Sequence, residues 1–264
     1  MNFRQKIARE TGIREGSIPA SYQVLGDVML LKLMKASGEE KKKIASAVLE
    51  LYPYIKTVCE IKGVEGELRR PKILKLGGNG TETTHKESGI LYNLDAAKVM
   101  FSKGNHFERR RLLKQAGTNE VIVDMFAGIG YFSLPLARHV RKVYSLEKNP
   151  VAFRYLKENI KLNKLSNIEA VNADCREAAL EGVADRLIMG YFPGTERFLP
   201  FALKMLKDGG IVHFHNSYSG DELWNKPAED LKALGNFRVL EKKKVKSIAP
   251  RRWHIVMDVE VYRE

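Results

Sequence analysis

Three acidic residues follow successive strand-like runs in the second half of the chain, and they are Asp124, Glu147 and Asp174. A carboxylate at the tip of the second strand of an open α/β sheet can accept hydrogen bonds from both ribose hydroxyls of a nucleoside. A carboxylate after the third strand can accept a hydrogen bond from the exocyclic amine of adenine. Each acid taken alone is more simply read as a helix N-cap. All three at successive strand ends predict a site for an adenosine group.

The glycines after Asp124 narrow the kind of adenosine compound that this site can bind. Gly128 and Gly130 follow the first strand, where glycine lets a ligand approach the backbone closely. The third glycine of the dinucleotide fingerprint is missing, which argues against NAD. An adenosine cofactor without a pyrophosphate remains, and we predict S-adenosylmethionine. The residues predicted to contact its adenosine and line the first turn are Asp124, Ala127, Gly128, Glu147, Lys148, Asp174 and Cys175.

These residues lie in a regular alternation of strands and helices that begins near Asn119. The strand-like runs are Glu120–Met125, Lys142–Glu147, Ile168–Asn172, Arg186–Gly190 and Gly210–His215. The helical runs between them are Phe132–Val140, Val151–Asn163, Arg176–Leu180 and Glu196–Leu206. A further helix precedes a closing antiparallel hairpin, and these three elements are Glu222–Leu234, Phe237–Val245 and Trp253–Tyr262. The pattern predicts an α/β fold in which helices cover both faces of a mainly parallel sheet.

The first part of the chain lacks this alternation. Residues 1–20 show no clear periodicity, and a basic helix opens at Gly38 and ends at Pro53. The short strand candidates around this helix are Ser21–Val24, Val28–Met34, Thr57–Ile61, Lys72–Leu76 and Gly89–Asn93. We therefore expect a small α+β domain over residues 1–95 and the cofactor-binding domain over residues 96–264.

Charge is the informative bulk property. The chain has 264 residues and a formal net charge of +13, with a sequence pI of about 9.6. A balance this basic favours a polyanionic partner such as a nucleic acid, although a lysine-rich surface typical of proteins from hot environments is the alternative. Cys59 and Cys175 are too few for a disulfide framework or a cysteine-rich zinc site. We expect a cytoplasmic monomer without a membrane segment or a metal.

Several short segments together resemble a known family. They are VDMFAGIGYFSLP, SLEKNP, NADCRE, ADRLIMGYFPGT and GGIVHFHN. They are similar to the class I methyltransferase fold and, more narrowly, to the aminocarboxypropyltransferases of wybutosine synthesis, which act on position 37 of phenylalanine tRNA. Close relatives of these enzymes are the tRNA guanine-37 N1 methyltransferases. The segment MFSKGNHFER resembles a motif that both groups share, and the resemblance covers about residues 70–264.

Two segments distinguish the two branches. The methyltransferases have sequences similar to G-x-G-P-F after the first strand and to N-L/P-P after the fourth. At the corresponding places this chain has Gly130-Tyr131-Phe132 and Gly190-Tyr191-Phe192-Pro193-Gly194-Thr195. The resemblance therefore implies transfer of the 3-amino-3-carboxypropyl group of S-adenosylmethionine to a wyosine-precursor guanosine, with release of methylthioadenosine. The alternatives are guanine-37 N1 methylation and a non-catalytic RNA-binding module. A base in the anticodon loop is already single-stranded, so that its extrusion costs little.

The resemblance also implies roles for residues beyond the adenosine site. Ser102, Lys103 and Arg109 are expected at the methionine arm, where Arg109 could pair with the carboxylate or instead form a structural ion pair with Glu108 or Glu87. Aromatic planes hold unstacked bases, and the loop residues expected to position the base are Tyr191, Phe192 and Pro193, although packing under the loop explains Phe192 equally well.

The candidates for a general base are His213, Asn216 and Glu108. We expect His213 and His215 to face opposite sides of the fifth strand, one toward the cofactor and one into the core, which argues against a metal site formed by this pair. Cys175 is not expected to act as a nucleophile, because transfer from a sulfonium needs no covalent intermediate.

Five basic clusters are candidates for contact with RNA, although each alone is more often a solvated face. They are Lys41-Lys42-Lys43, Arg69-Arg70, Arg109-Arg110-Arg111, Lys242-Lys243-Lys244 and Arg251-Arg252. The last cluster is followed by Trp253, and this combination of charge with an aromatic ring makes the final hairpin the favoured RNA contact.

Overall fold

The computed structural model describes residues 1–262, except for the side chain of Lys103. The chain divides into two compact units, Met1–Lys103 and Gly104–Glu264. The boundary predicted from the sequence, between residues 95 and 96, stays a prediction. Within the described part of the chain, no helix is long and apolar enough to cross a membrane.

The first unit is a small α+β structure. Its elements are α1 (Phe3–Thr11), β1 (Tyr22–Leu25), β2 (Val28–Leu31), α2 (Gly38–Leu51), β3 (Thr57–Glu65), β4 (Arg70–Gly78), β5 (Glu82–Glu87) and β6 (Ile90–Asp95). Strands β1 to β4 form one sheet in chain order, and β5 pairs with β6 in a separate two-stranded sheet. Side chains of both helices, including Ile7 and Val48, pack in one core with Met29 and Val58 of the larger sheet.

Helix α1 was not predicted, because only Phe3 and Ile7 of its nine residues are buried. Its start is nevertheless encoded locally. The side chain of Asn2 accepts a hydrogen bond from the backbone of Gln5, whose own side chain accepts one from the backbone of Asn2. This reciprocal capping box stabilises a helix start even where apolar periodicity is weak.

The second unit is the α/β structure predicted from the alternating pattern. Its elements are α3 (His106–Gln115), β7 (Val121–Asp124), α4 (Ser133–Ala137), β8 (Lys142–Leu146), α5 (Pro150–Leu162), β9 (Ile168–Val171), β10 (Ala184–Met189), α6 (Leu199–Met205), β11 (Leu206–Ser219), α7 (Asn225–Asp230), β12 (Asn236–Ala249) and β13 (Arg252–Tyr262). The sheet order is β12-β13-β11-β10-β7-β8-β9. Strands β7 to β11 run parallel, and β13 runs antiparallel to both β11 and β12, which confirms the predicted closing hairpin.

Alternation along the central strands explains the two covering layers. Ile122 and Ile188 pack in one core with Leu112 of α3 and Leu136 of α4. Their neighbours on the same strands pack in the other core, which contains Val123, Leu187, Met189 and, from α6, Leu199, Ala202 and Met205. Since successive strand residues point to opposite faces, this arrangement requires helices on both sides of the sheet.

One helix prediction in this unit was wrong, and one helix was missed. Arg176 and Glu177 form a turn, and Ala178–Leu180 have no regular structure. The carboxylate of Asp174 accepts from the backbone N–H of Arg176, and such a local bond competes with helix formation. Helix α3 went unnoticed in the sequence because its buried residues are Glu108, Arg109 and Leu112, two of them charged. A helix that turns charged side chains toward the core carries no apolar stripe.

Candidate active site

The carboxyl ends of the central strands meet at one edge of the sheet. Asp124, the last residue of β7, lies between Ser145 of β8 and Ile188 of β10. Strand β8, the next along the chain, lies on one side of β7, and β10 lies on the other side, so the strand order reverses at β7. Ligands of open α/β sheets bind outside the carboxyl ends of the strands at such a reversal.

The turn after β7 requires glycine. Gly128 has a φ of +58°, and a Cβ at this position would lie 2.3 Å from Cε2 of Tyr131. The backbone N–H of Ala127 donates to the carbonyl of Leu146 over 2.9 Å, which fixes the turn against β8. An added side chain is therefore excluded both by the left-handed backbone and by the adjacent ring.

Glu147 lies at the end of β8 and is held by backbone groups. One carboxylate oxygen accepts from the N–H of Gly128 over 2.7 Å, and the other accepts from the N–H of Asn149 over 2.6 Å. The side chain is half-buried. Burial, together with a smaller contribution from the nearby carboxylate of Asp124, raises the pKa of Glu147 to about 7. The acceptor predicted for the ribose is thus fixed in place and titrates near neutral pH.

Asp124 supports the turn from below. It is fully buried, and it accepts hydrogen bonds from the hydroxyl of Ser133 at 2.7 Å and from the N–H of Phe126 at 3.4 Å. Burial raises the pKa of Asp124 to about 6. The carboxylate ties the first turn to α4, and it has no exposed surface for a ligand. The contribution of Ser133 could not be read from the sequence.

Asp174 is surrounded by positive charge. Its carboxylate accepts from the side chain of Arg176 over 2.7 and 2.9 Å, and Nζ of Lys148 lies 3.1 Å away. These cations hold the pKa of Asp174 well below its ordinary value. The adjacent Cys175 is buried, and burial raises the pKa of its thiol to about 12. The thiol is therefore neutral at physiological pH, in agreement with the expectation that it is no nucleophile.

An aromatic cluster adjoins this edge of the sheet. Tyr191 stacks on Phe126 of the first turn with ring centroids 5.2 Å apart, and Phe198 meets both rings edge-on. Tyr191 is half-buried, and Pro193, two residues on in the same loop, is exposed. Phe192 points elsewhere and stacks on His254 at 4.0 Å, so its contacts are those of a packing residue. The role of Arg176 beside this cluster, 5.6 Å over the Phe198 ring, was also missed in the sequence.

His213 lies outside this cluster in a fully buried ion-pair network. Its Nδ1 is 2.6 Å from Asp258, and its Nε2 is 2.8 Å from a guanidinium nitrogen of Arg186. Burial lowers the pKa of His213. Because both ring nitrogens are engaged by charged groups, this arrangement argues against the predicted role of His213 as a general base.

The prediction that His213 and His215 face opposite sides was wrong. Residues two apart on a strand point to the same face, and both rings contact the network that Arg111 joins together. Arg111 pairs with Asp258, the partner of His213, and with Glu108, which lies 3.8 Å from His215. The described residues nevertheless contain no group of histidines, cysteines and acids that could hold a metal ion.

Glu108, Arg109 and Asn216 were also predicted as site residues. Glu108 is buried and accepts two hydrogen bonds of 3.0 Å from Nε of Arg111, which argues against a role as general base. Arg109 is buried on α3. Asn216 donates to Glu196 over 2.7 Å and accepts from the N–H of Gly194, so it anchors the end of the loop that carries Tyr191.

Ser102 belongs to the first unit, and the side chain of Lys103 lies outside the described residues. Their predicted contacts with the methionine arm stay predictions.

Two protein-family models match most of the chain. The model described as the TRM5/TYW2 methyltransferase domain matches residues 83–242, and the model of the TYW2 N-terminal domain matches residues 7–81. The chain belongs to the TRM5/TYW2 family. The resemblance found in its motifs is thereby confirmed, together with the class I methyltransferase fold.

Two curated members of the family are similar over almost their whole length. Both are named tRNA(Phe) (4-demethylwyosine(37)-C(7)) aminocarboxypropyltransferase. The protein from Methanocaldococcus jannaschii is 41% identical over 92% of this chain and 98% of its own length. The protein from Pyrococcus horikoshii is 40% identical over 93% of this chain and 91% of its own length.

Solved structures of the family have the same fold. The TYW2 structure from P. horikoshii in complex with MeSAdo has a TM-score of 0.88 at 36% identity, covering 99% of this chain and 100% of that one. A complex of aTrm5 with tRNALeu has a TM-score of 0.89 at 35% identity, covering 99% of this chain and 78% of that one. Family members of both branches therefore share this architecture.

Proposed function

We propose that this TRM5/TYW2 family member transfers the 3-amino-3-carboxypropyl group of S-adenosylmethionine to a wyosine-precursor guanosine at position 37 of tRNAPhe, releasing methylthioadenosine. The observation that carries the proposal is the similarity, over almost the full length, to two archaeal enzymes named for this transfer. The loop Gly190–Thr195 supports the aminocarboxypropyltransferase branch, because it lacks the asparagine of the N-L/P-P motif that is typical of the methyltransferases.

The donor set at the sheet edge fits an adenosine group. Glu147 presents a half-buried carboxylate that is already oriented by two backbone N–H groups, and its free lone pairs suit the ribose hydroxyls. Gly128 supplies one of these two N–H groups and adds no side chain of its own to the turn. Asp174 and the backbone of Cys175 remain our candidates for adenine, with Arg176 and Lys148 fixing the carboxylate of Asp174.

S-adenosylmethionine supplies a sulfonium with three carbons open to attack, and the carbon that lies in line with the nucleophile decides what is transferred. The contribution of the protein is therefore mainly one of position. Tyr191, supported by Phe126 and Phe198, offers a half-buried aromatic face next to the first turn. We propose that this face and the exposed Pro193 hold the target base, since aromatic planes are suited to unstacked bases.

The basic clusters differ in how far their charge is already neutralised. In the first unit, Lys41 pairs with Glu60 at 2.8 Å, and Lys43 pairs with Glu39 at 3.1 Å. In the second unit, the charge of Arg111 is paired with Asp258 in a buried network. Charges that are already paired release fewer counterions on meeting phosphate. These clusters are therefore weaker candidates for RNA contact than their sequences indicate.

The β12–β13 hairpin keeps its charge available. Lys242 and Lys243 are exposed on the edge strand β12 and form no ion pair within residues 1–262. Nζ of Lys244 lies 4.9 Å above the ring of Trp253, and Arg251 is exposed in the turn. We propose that this surface contacts the anticodon arm of the tRNA. Lysines on an edge strand also prevent sheet-to-sheet aggregation, so the salt dependence of tRNA binding has to decide between the two roles.

We also propose that the protein acts as a cytoplasmic monomer. Cys59 and Cys175 are buried free thiols, which suits a reducing compartment. Size-exclusion chromatography with light scattering, with and without tRNA, tests the oligomeric state.

Product analysis tests the proposed reaction. The protein is incubated with hypomodified tRNAPhe and S-adenosylmethionine labelled in the carboxyl carbon, with fully modified tRNAPhe as the control acceptor. We expect label in the hypomodified RNA only, and methylthioadenosine as the small product. Unlabelled RNA with S-adenosylhomocysteine as the product indicates the methyltransferase, the second candidate supported by the similarity to aTrm5. Binding of tRNA without turnover and without affinity for S-adenosylmethionine indicates a non-catalytic module.

A further inference from the structure

The loop Gly190–Thr195 is held by aromatic contacts on two sides. On one side Tyr191 stacks on Phe126 of the first turn. On the other side Phe192 stacks on His254 of β13, with ring centroids 4.0 Å apart and planes inclined by 23°. Adjacent residues of one loop thus contact the turn after β7 and the closing hairpin. A single peptide unit separates the Phe192 contact from the Tyr191 contact.

The ring of His254 is itself held in place. It is fully buried, and its Nε2 lies 3.0 Å from Nδ1 of His215. Burial lowers the pKa of His215 to about 4, so that this imidazole is neutral at physiological pH. Two imidazoles at this distance share a single hydrogen bond, which fixes the plane of one ring relative to the other.

His215 packs in turn against further buried side chains. Its ring lies 5.8 Å from the ring of Phe132, which closes the first turn, and its Nε2 is 3.8 Å from Glu108. Glu108 is bound by Arg111, and Arg111 also pairs with Asp258 on the same strand as His254. The ring on which Phe192 stacks is therefore hydrogen-bonded to His215, which lies beside a buried, charged network.

We propose that His254 is a positioning residue, which holds Phe192 and thereby the loop that carries Tyr191 and Pro193. This inference rests on the proposed function, since it assigns to the loop the task of placing the target base. In this proposal His254 has no direct contact with the cofactor or the acceptor. It acts through the flat face of its ring, while its hydrogen bond to His215 sets the angle of that face.

The planarity of the ring is the property to test. An aliphatic residue of similar volume fills the same space, and the backbone of β13 remains paired with Ser217 of β11 in either case. If the role of His254 were purely structural, any well-packed residue could therefore replace it. A positioning role requires another ring at this place, because stacked rings restrict their relative tilt.

Three variants separate the ring from its hydrogen bond. His254→Leu keeps bulk without a ring, His254→Gln keeps a nitrogen able to reach His215, and His254→Phe keeps the ring alone. Small misplacements of a bound substrate can cost about 100-fold in rate, and we expect kcat to fall roughly 10- to 100-fold for the Leu and Gln variants. We expect His254→Phe to lose less than about 10-fold, because it keeps the stacked face and lacks only the hydrogen bond that sets the angle of that face. The exposed His139 supplies the control variant His139→Leu, which should change nothing.

Two further measurements exclude a general loss of structure. The Kd for S-adenosylmethionine and the Tm are determined for each variant, and we expect the Kd to remain within about twofold of the wild type, since no predicted cofactor contact is altered. Recovery of kcat by Gln but not by Phe overturns the proposal, because the hydrogen bond would then be the essential contact. A parallel loss of kcat, cofactor affinity and Tm in all three variants also overturns it.

The outcome is independent of which group the wild type transfers. If the wild-type product is S-adenosylhomocysteine, the proposed function fails, but kcat for methyl transfer still compares the three variants. If the wild type forms methylthioadenosine and His254→Leu retains its full kcat, the proposed function stands and the role of His254 is refuted.

Discussion

The backbone N–H of Gly128 donates to the carboxylate of Glu147 over 2.7 Å and so joins the turn after β7 to the end of β8. This single contact connects the two strand ends at which we propose that the adenosine group binds. Glycine is required at one end by its left-handed φ of +58°. A carboxylate is required at the other end because both of its oxygens accept from backbone donors.

Replacement of Glu147 by glutamine is expected to weaken binding of S-adenosylmethionine. The amide places an N–H donor against the N–H of Gly128 or of Asn149, and it removes the charge that the ribose hydroxyls would meet. Hydrogen bonds to charged groups contribute about 1.5–3 kcal/mol, which corresponds to a rise in Kd of roughly 10- to 100-fold. Isothermal titration calorimetry measures the change, and the exposed Glu181→Gln is the matched control. An unchanged Kd for Glu147→Gln would count against the ribose assignment.

The affinity for S-adenosylmethionine is expected to increase between about pH 6 and pH 8. The pKa of Glu147 is raised to about 7 by burial, and only its ionised form accepts from two hydroxyls. Cofactor binding should therefore release a fraction of a proton near neutral pH, and Glu147→Gln should remove that release. Calorimetry in buffers of different ionisation enthalpy detects it. Equal proton release from both proteins would refute the assignment to Glu147.

The same group has the opposite effect on the stability of the ligand-free protein. Because its pKa is raised from 4.5 to about 7, the folded state retains a proton that the unfolded state has lost. The stability that protonated Glu147 contributes is complete below 4.5 and is lost as the pH rises through about 7. The free energy of unfolding of the wild type, relative to Glu147→Gln, should therefore fall across this range. Denaturant titrations at several pH values check the sign.

Loss of Asp258 is expected to destabilise the second unit strongly. Its carboxylate is buried, and contacts with His213 and Arg111 hold its pKa below the ordinary value. Removing one partner of a buried pair typically costs about 3–5 kcal/mol, and we expect Asp258→Asn to lower the free energy of unfolding by this amount. Glu260→Gln, which breaks an ion pair with the exposed Arg238 on the same hairpin, should cost at most about 1 kcal/mol. Similar losses in both variants would contradict the role assigned to the network.

Simultaneous replacement of Lys242, Lys243 and Lys244 by alanine is expected to weaken tRNA binding without altering the Kd for S-adenosylmethionine. Each lost phosphate contact lowers the slope of log K against log salt by about 0.7–0.9, so three lost contacts lower it by roughly 2–3. The triple replacement of Lys41, Lys42 and Lys43 is the control of equal charge, and we expect a smaller change because two of its lysines are paired. Equal slopes for the two variants would remove the hairpin as the preferred RNA surface.

Much of the fold follows from the sequence because it depends on local order. The alternation of apolar runs predicted the parallel strands and the closing hairpin, since each strand is encoded by a few consecutive residues. The acids at the strand tips were found for the same reason, because the carboxyl ends of parallel strands share one edge. Helix α3 was missed because its inward face carries Glu108 and Arg109.

The tertiary structure decided which side chains are available for chemistry. His213 and Glu108 were candidate bases by residue type, yet Asp258 and Arg111 engage them from distant parts of the chain. The basic clusters look alike in the sequence, but in the structure some of their side chains are held in ion pairs and others are exposed on β12. Local residue order encodes strands, turns and acids, but pairing across the sheet sets burial and charge, and these determine which groups can act.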